Sequence, residues 1–124
     1  MNRLIIFVLL VVASTSAQAQ SLAGSEWGLG DGDPRYLKFG AGGKLSGDAG
    51  CNNFMAEYSR TSSRLHIGPV ATTRKLCPPE QMKLEEEWLG ILKRVRSYEV
   101  DHLKLKLYGP KRIVLAVLKR RDWD

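Results

Sequence analysis

The chain has 124 residues, 44% of them apolar and 26% charged, with 19 Lys and Arg against 13 Asp and Glu, for a formal net charge of +6. That length fits one domain and excludes a two-domain enzyme, a long solenoid and a barrel of eight βα units. The composition excludes an intrinsically disordered chain. Read from the start, Arg3 precedes an apolar run, Leu4–Ala13, which is followed by Ser14-Thr15-Ser16 and Ala17-Gln18-Ala19. A charged start, an apolar middle and an A-x-A exit describe a secretory signal peptide. A membrane span needs roughly 20 apolar residues, so this run is short for an anchor. No cysteine adjoins the exit. Residues 1–19 are therefore expected to be a signal peptide, cleaved near Ala19 to leave a periplasmic or secreted domain over 20–124 with no transmembrane span.

Short strands with glycine punctuation follow. Ser25–Leu29 and Tyr36–Phe39 read as strands around the turn cluster Gly30-Asp31-Gly32-Asp33-Pro34. Gly40–Lys44 reads as a hairpin turn leading into a return strand from Lys44 to Ser46. In the next strand, Cys51 to Tyr58, the residues Phe54, Ala56 and Tyr58 share a face. Leu65, Ile67 and Val70 mark another, bent at Gly68-Pro69. Pro78-Pro79 then opens a helix, since proline suits a first turn whose N–H groups have no partner. Leu84, Trp88, Ile91, Leu92 and Val95 recur at helical period on one stripe. Glu80, Glu85, Glu86 and Glu87 lie near its start and Lys93, Arg94 and Arg96 near its end, which complements the helix dipole. Tyr98 and Val100 suggest a strand, and Leu103, Leu105 and Leu107 alternate with Lys104, Lys106 and Tyr108 in a half-buried one. Ile113–Leu118 is an apolar run expected at the centre of the sheet. Strands, one helix, then strands give an α+β fold: a curled antiparallel β-sheet, a partial barrel, packed against a single α-helix. Trp27, Trp88, Phe39, Phe54 and Tyr58 are the expected core aromatics.

Cys51 and Cys77 are an even pair in an exported chain, so a disulfide is expected, against the simpler possibility of two separate buried thiols. With His66 and His102 they match no short zinc-ligand spacing, so no metal and no cofactor is expected. Asp31-Gly32-Asp33 lacks the rest of a calcium loop, and Gly40–Lys44 lacks the spacing of a phosphate loop. Lys104, Lys106, Lys111, Arg112, Lys119, Arg120 and Arg121 form a basic C-terminal set with few acids nearby. Such a set suits attachment to an anionic surface, anionic lipid rather than nucleic acid in an envelope compartment. A solvated strand face whose lysines protect a sheet edge explains the same residues more simply.

The spaced residues Leu22-x-Gly24-x-x-Trp27, Pro34-x-x-Leu37-x-Phe39, Ser46-Gly47-x-x-Gly50-Cys51-Asn52-x-Phe54-x-x-x-Tyr58, Thr73-x-x-x-Cys77, Tyr98-x-Val100 and Leu103-x-Leu105 together resemble the META domain family, also called HslJ-like. The resemblance runs from Leu22 to Leu118. Its motif residues are Trp27, Gly50, Asn52, Phe54, Tyr58 and Thr73. Ala56 stands where the family has glycine, and Lys75-Leu76 where members often carry Met-Ala. The resemblance implies a small exported or envelope-associated domain, linked in some members to stress or drug tolerance, with no catalytic residues. The sequence shows no nucleophile–base–orienter set either. The expectation is a non-enzymatic monomer that binds an envelope component, either a protein or anionic lipid. The alternative is an inhibitor or protein-partner-binding module stabilised by a disulfide.

Overall fold

The computed structural model describes residues 21–121. The expected signal peptide at 1–19 and the tail at 122–124 lie outside the described residues. Nine strands and one helix follow in chain order: β1 Ser25–Gly28, β2 Tyr36–Phe39, β3 Lys44–Asp48, β4 Asn53–Thr61, β5 Arg64–Ile67, β6 Ala71–Thr72, α1 Pro79–Arg94, β7 Ser97–Asp101, β8 Lys104–Tyr108 and β9 Val114–Arg120.

All pairings are antiparallel, in the order β3-β2-β1-β9-β8-β7-β5-β4-β6, and β3 also pairs β4. The sheet therefore curls back on itself. The ladder is thinnest between β5 and β7, where Arg64↔Ser97 is the one register pair, so the curl is a partial barrel and not a uniformly laddered one. The bend at Gly68-Pro69 breaks one expected strand into β5 and β6, which pair successive parts of the long β4.

The concave face carries Trp27, Leu37, Phe39, Leu45, Phe54, Leu65, Leu105, Leu107 and Leu118, all essentially fully buried. Trp88, Ile91 and Leu92 of α1 enter the same cluster, with Val95 just beyond the helix end. Each such side chain contributes about 1.5–3 kcal/mol by leaving water. The stripe Trp88-Ile91-Leu92 is the physical reason that α1 lies against the sheet.

Two expected burials are corrected. Leu103 is 67% exposed, because the β7–β8 turn falls at His102-Leu103, where His102 adopts φ +53°, and the alternation begins only at Lys104. Ile113 and Val114 are exposed too. Ile113 closes the tight turn at Pro110–Arg112, its N–H donating to the Pro110 carbonyl at 3.3 Å, and only Leu118 of β9 is fully buried. β9 is central in strand order, between β1 and β8, yet its outer face meets solvent.

Gly47 of β3 sits between Leu37 and Phe54 in register. A Cβ there would lie 2.0 Å from the Tyr36 carbonyl oxygen and 2.8 Å from Phe54 Cε1. Neither backbone nor a fully buried ring can yield cheaply. Gly47→Ala is expected to cost about 3 kcal/mol by overpacking. Urea unfolding would measure it, and an unchanged midpoint would show that the strand accommodates the methyl.

The turn before β2 is fastened to the helix. The Arg35 guanidinium donates to both carboxylate oxygens of Asp33, at 3.0, 3.3 and 2.7 Å, and reaches the Leu84 carbonyl at 3.4 Å. Glu87 stands 4.0 Å away. The hydrogen bond from Arg35 holds the Asp33 carboxyl below its ordinary value of 3.8. A depressed folded pKa stabilises the fold above the unfolded value and loses that contribution as pH falls through the folded one. Asp33→Asn is therefore expected to cost about 1 kcal/mol at neutral pH, with the gap to wild type closing in acid. A gap that stays constant in thermal melts down the acid limb would contradict the pairing.

Candidate functional site

The β3–β4 connection holds the densest motif, and its geometry follows from its residues. Gly50 adopts φ +123°, a conformation that favours glycine, and a Cβ there would meet the helix backbone at Glu85 N (3.3 Å) and Gln81 O (3.5 Å). The Asp48 carboxylate accepts the Gly50 N–H at 2.7 Å, and the Ala49 N–H donates to the Asn52 carbonyl at 2.8 Å. This tight turn aims Asn52 into the space between the sheet, the 73–77 segment and α1.

Asn52 is 3% exposed and its side chain is saturated. Oδ1 accepts from the Lys75 N–H at 2.6 Å and the Thr73 hydroxyl at 2.9 Å. Nδ2 donates to the Lys75 carbonyl at 3.2 Å and to Glu85 Oε2 at 3.0 Å. The Asn52 backbone N–H donates to the other Glu85 oxygen at 2.6 Å. Thr73 Oγ1 in turn accepts the Asn53 N–H at 3.2 Å. One amide thus joins three elements, and no polar atom in that set is left over for a ligand.

Beside it, Cys51 and Cys77 form the expected disulfide, with their Cα atoms 6.0 Å apart. Their sulfurs are committed to each other, so they offer neither a metal ligand nor a nucleophile. The motif therefore reads as a clamp. The bond fixes the entry to α1, and Asn52 fixes its second turn.

The remaining motif residues are core. Trp27 is buried, and its indole N–H donates to Ser25 Oγ at 2.7 Å, while the Ser25 hydroxyl donates to the Leu22 carbonyl. Phe54 packs under Gly47. Tyr58 meets Phe39 edge to face at 4.9 Å and donates to the Gly40 carbonyl at 3.4 Å. Burial pushes the Tyr58 hydroxyl up from its ordinary pKa.

The seven basic residues divide along the β8–β9 hairpin. Lys104 and Lys119 stand directly opposite each other on its outer face. With Arg120, Arg121 and the exposed Leu103 they border a groove of about 560 Å³, whose far wall is the turn carrying Asp31 and Asp33. Arg120 also lies over the Trp27 ring at 5.7 Å, and Arg121 over Tyr36 at 4.4 Å. Lys106 is half-buried in the middle of the hairpin, with Glu99 opposite on β7. Lys111 and Arg112 occupy the turn at the other end, where Arg112 stacks on Tyr108 at 5.0 Å. The exposed Ile113, Val114 and Val117 lie between the two ends.

Sequence reasoning missed Glu85 and Arg35. In the sequence Glu85 reads as one of four acids that complement the dipole at the helix start, yet it is 5% exposed and bonded to Asn52. Its place next to Leu84 and three residues before Trp88, on the edge of the apolar stripe, was the available signal. Also missed was a second basic cluster, Arg60, Arg64, His66, Lys93 and Arg96, in a groove beside the β5–β7 seam.

Comparisons with known proteins agree with this architecture. A solution structure of a protein from Burkholderia xenovorans is similar at TM-score 0.70 and 19% identity, covering 82% of this chain and 85% of that one. A second solution structure is similar at TM-score 0.60 and 23% identity, covering 79% and 90%. At those identities the likeness is one of fold. No curated protein matches the chain. The META domain family model matches residues 12–122, nearly the whole chain, and with the curled sheet, lone helix and clamp in place the chain belongs to the META domain family.

Proposed function

We propose that this META domain is a non-enzymatic, exported binding module that docks on anionic lipid headgroups of the cell envelope through its β8–β9 hairpin. The observation that carries the reading is the pairing of exposed apolar side chains with a cluster of cations on one hairpin, where Lys and Arg outnumber the facing acids. Lys104 faces Lys119 on β9, a like-charge contact that disfavours the sheet, and Asp101 on β7, which offsets one of the two charges. Leu103 and Val117 are exposed beside it, and Ile113 and Val114 are exposed beside Lys111 and Arg112. At an anionic membrane each cation near the surface gains about 1 kcal/mol, and the apolar side chains enter the headgroup boundary. Without such a surface both features only destabilise or expose the hairpin.

The disulfide suits the oxidising compartment that the N-terminal signal implies. Among the described residues no helix is long and apolar enough to cross a membrane, so attachment would be peripheral. Two further observations support the reading. The buried Glu85 carboxylate is occupied by Asn52 donors on both oxygens, which removes it as a catalytic acid or base. The Gly40–Lys44 turn is folded back by its own Gly40 N–H to Lys44 carbonyl bond at 2.7 Å, a poor shape for an inhibitory loop. A role in stress or drug tolerance would then act through the envelope surface itself.

Vesicle co-sedimentation tests the proposal. At low ionic strength the protein should pellet with phosphatidylglycerol-containing vesicles and not with pure phosphatidylcholine, and salt should release it. Reversing both cations, Lys104→Glu with Lys119→Glu, should abolish binding. Equal recovery on neutral and anionic vesicles would sink the idea.

A further inference from the structure

We infer that the groove between the β4–β5 hairpin and the C-terminal end of α1 is a second binding site, selective for an organic phosphate monoester. The groove has a volume of about 620 Å³, within the range that holds a small organic ligand. Arg60, Arg64, His66, Lys93 and Arg96 line it, and no acid does. Ser59 and Thr61, which pair with His66 and Arg64 across β4–β5, also line it, while Leu65 and Val95 behind them are buried in the core. Clustered cations flanked by Ser59 and Thr61 suit a phosphate carried on an uncharged, hydroxylated body.

The ordinary explanation for basic residues here is that they cap the helix, whose last carbonyls carry partial negative charge. That role is already filled. Arg94 donates to the Gly90 carbonyl at 3.3 Å, and Arg96 to the carbonyls of Val95 and Lys93 at 3.1 and 3.4 Å. Arg60 is held by the Tyr98 hydroxyl at 3.2 Å and the Ser62 carbonyl at 3.5 Å. The side chains of Arg64, His66 and Lys93 remain, with no hydrogen bond or ion pair to any described residue.

The fold also explains why they converge. Arg64 and His66 are two apart on β5 and so project from one face of that strand. The single register pair Arg64↔Ser97, with the Leu65 N–H donating to the Arg96 carbonyl at 3.0 Å, brings β5 against the end of α1. The thin seam thus leaves a gap whose walls come from two distant stretches of chain. A dianionic phosphate offers several acceptor oxygens, enough for Arg64 and Lys93 at once, and guanidinium–phosphate contacts are among the stronger charge-assisted bonds.

The site is independent of the hairpin surface, so the two fail separately. Amide and side-chain NMR shifts of the full protein would be followed during titration with inorganic phosphate, with a hexose 6-phosphate, and with a soluble short-chain phosphatidic acid. The hexose phosphate or the phosphatidic acid should shift resonances of Arg64, His66 and Lys93 more tightly than inorganic phosphate does. Which of the two binds better distinguishes a free metabolite from a lipid headgroup. Arg64→Ala with Lys93→Ala, both exposed and unbonded, should weaken binding at least about tenfold per residue lost. Lys104→Ala with Lys119→Ala should leave it unchanged. No saturable shifts at the groove, or the same affinity in the Arg64/Lys93 variant, would overturn the inference.

Discussion

Asn52→Asp is expected to destabilise the domain by about 4 kcal/mol at neutral pH, near the cost of leaving a buried charge uncompensated. The reason lies in the direction of each bond. Nδ2 now donates to the Lys75 carbonyl and to Glu85 Oε2. An aspartate oxygen in its place presents an acceptor to an acceptor on one side and a carboxylate to a carboxylate on the other. The two bonds that Oδ1 accepts, from Thr73 and Lys75, survive. The substitution changes almost no volume, so the loss reports the polar network and not packing. Its pH dependence has a definite sign. Two facing carboxylates raise the native-state proton affinity of the pair, so the folded variant binds a proton more readily than the unfolded chain does. The deficit relative to wild type is therefore complete above the carboxyl range and shrinks as pH falls into it. Adding Glu85→Gln restores a donor toward the new carboxylate while its carbonyl still accepts the backbone N–H of position 52, and part of the stability should return. Urea unfolding followed by tryptophan fluorescence reads the wild type and both variants, since Trp27 and Trp88 lie in the core that melts. A deficit equal at neutral pH and at about pH 4 would refute the carboxylate contact.

The architecture was legible because its signals are local. Alternation marks β8, glycines mark the turns, and the stripe through Trp88, Ile91 and Leu92 marks α1. Errors arose where a turn displaced the period. One residue in the left-handed region, His102, moved Leu103 out of the strand, and the turn at Pro110–Arg112 moved Ile113. The clamp was half legible. Its residues stood out as a spaced set and the sulfur pair was expected, yet nothing local shows that Asn52 reaches Glu85, a contact spanning 33 positions. The basic residues show the same limit more sharply. Neighbours in sequence, Lys119 and Arg120, project to opposite faces of β9, so that one is exposed while the other covers Trp27. Meanwhile Arg64 and Lys93 share a groove only because β5 meets the end of α1. Charge is written along the chain, whereas a charged surface is assembled across strands.

Removing the disulfide is expected to cost about 3.5 kcal/mol, the chain-entropy value for a closed loop of 26 residues. For a domain of this size that lowers Tm by roughly 15 °C. The effect arises mainly in the unfolded chain, which regains the freedom of β4, β5 and β6 and the approach to α1 once Cys51 and Cys77 separate. In the folded state the same junction stays closed by the Asn52 bonds to Thr73 and Lys75 and by the Asn53–Thr73 pair, in which the Thr73 N–H donates to the Asn53 carbonyl at 3.1 Å and the Asn53 N–H to the Thr73 hydroxyl at 3.2 Å. A Cys51→Ser, Cys77→Ser protein should therefore still fold, with its sheet intact. The disulfide and Asn52 hold the same strap, so their losses should not add. While the sulfurs are joined, the 73–77 segment stays near the sheet even when Asn52 is changed; once they part, Asn52 alone keeps it there. Combining the serine pair with Asn52→Asp should cost more than the two separate losses together, by a coupling of about 1 kcal/mol or more, as expected for groups that share partners. Thermal melts of the oxidised, reduced and serine-substituted chains, with the double-mutant cycle completed by Asn52→Asp, measure each quantity. Strict additivity would mean that the two fastenings act on separate parts of the fold, and a Tm unmoved by reductant would mean that the sulfur bond constrains nothing that the unfolded chain explores.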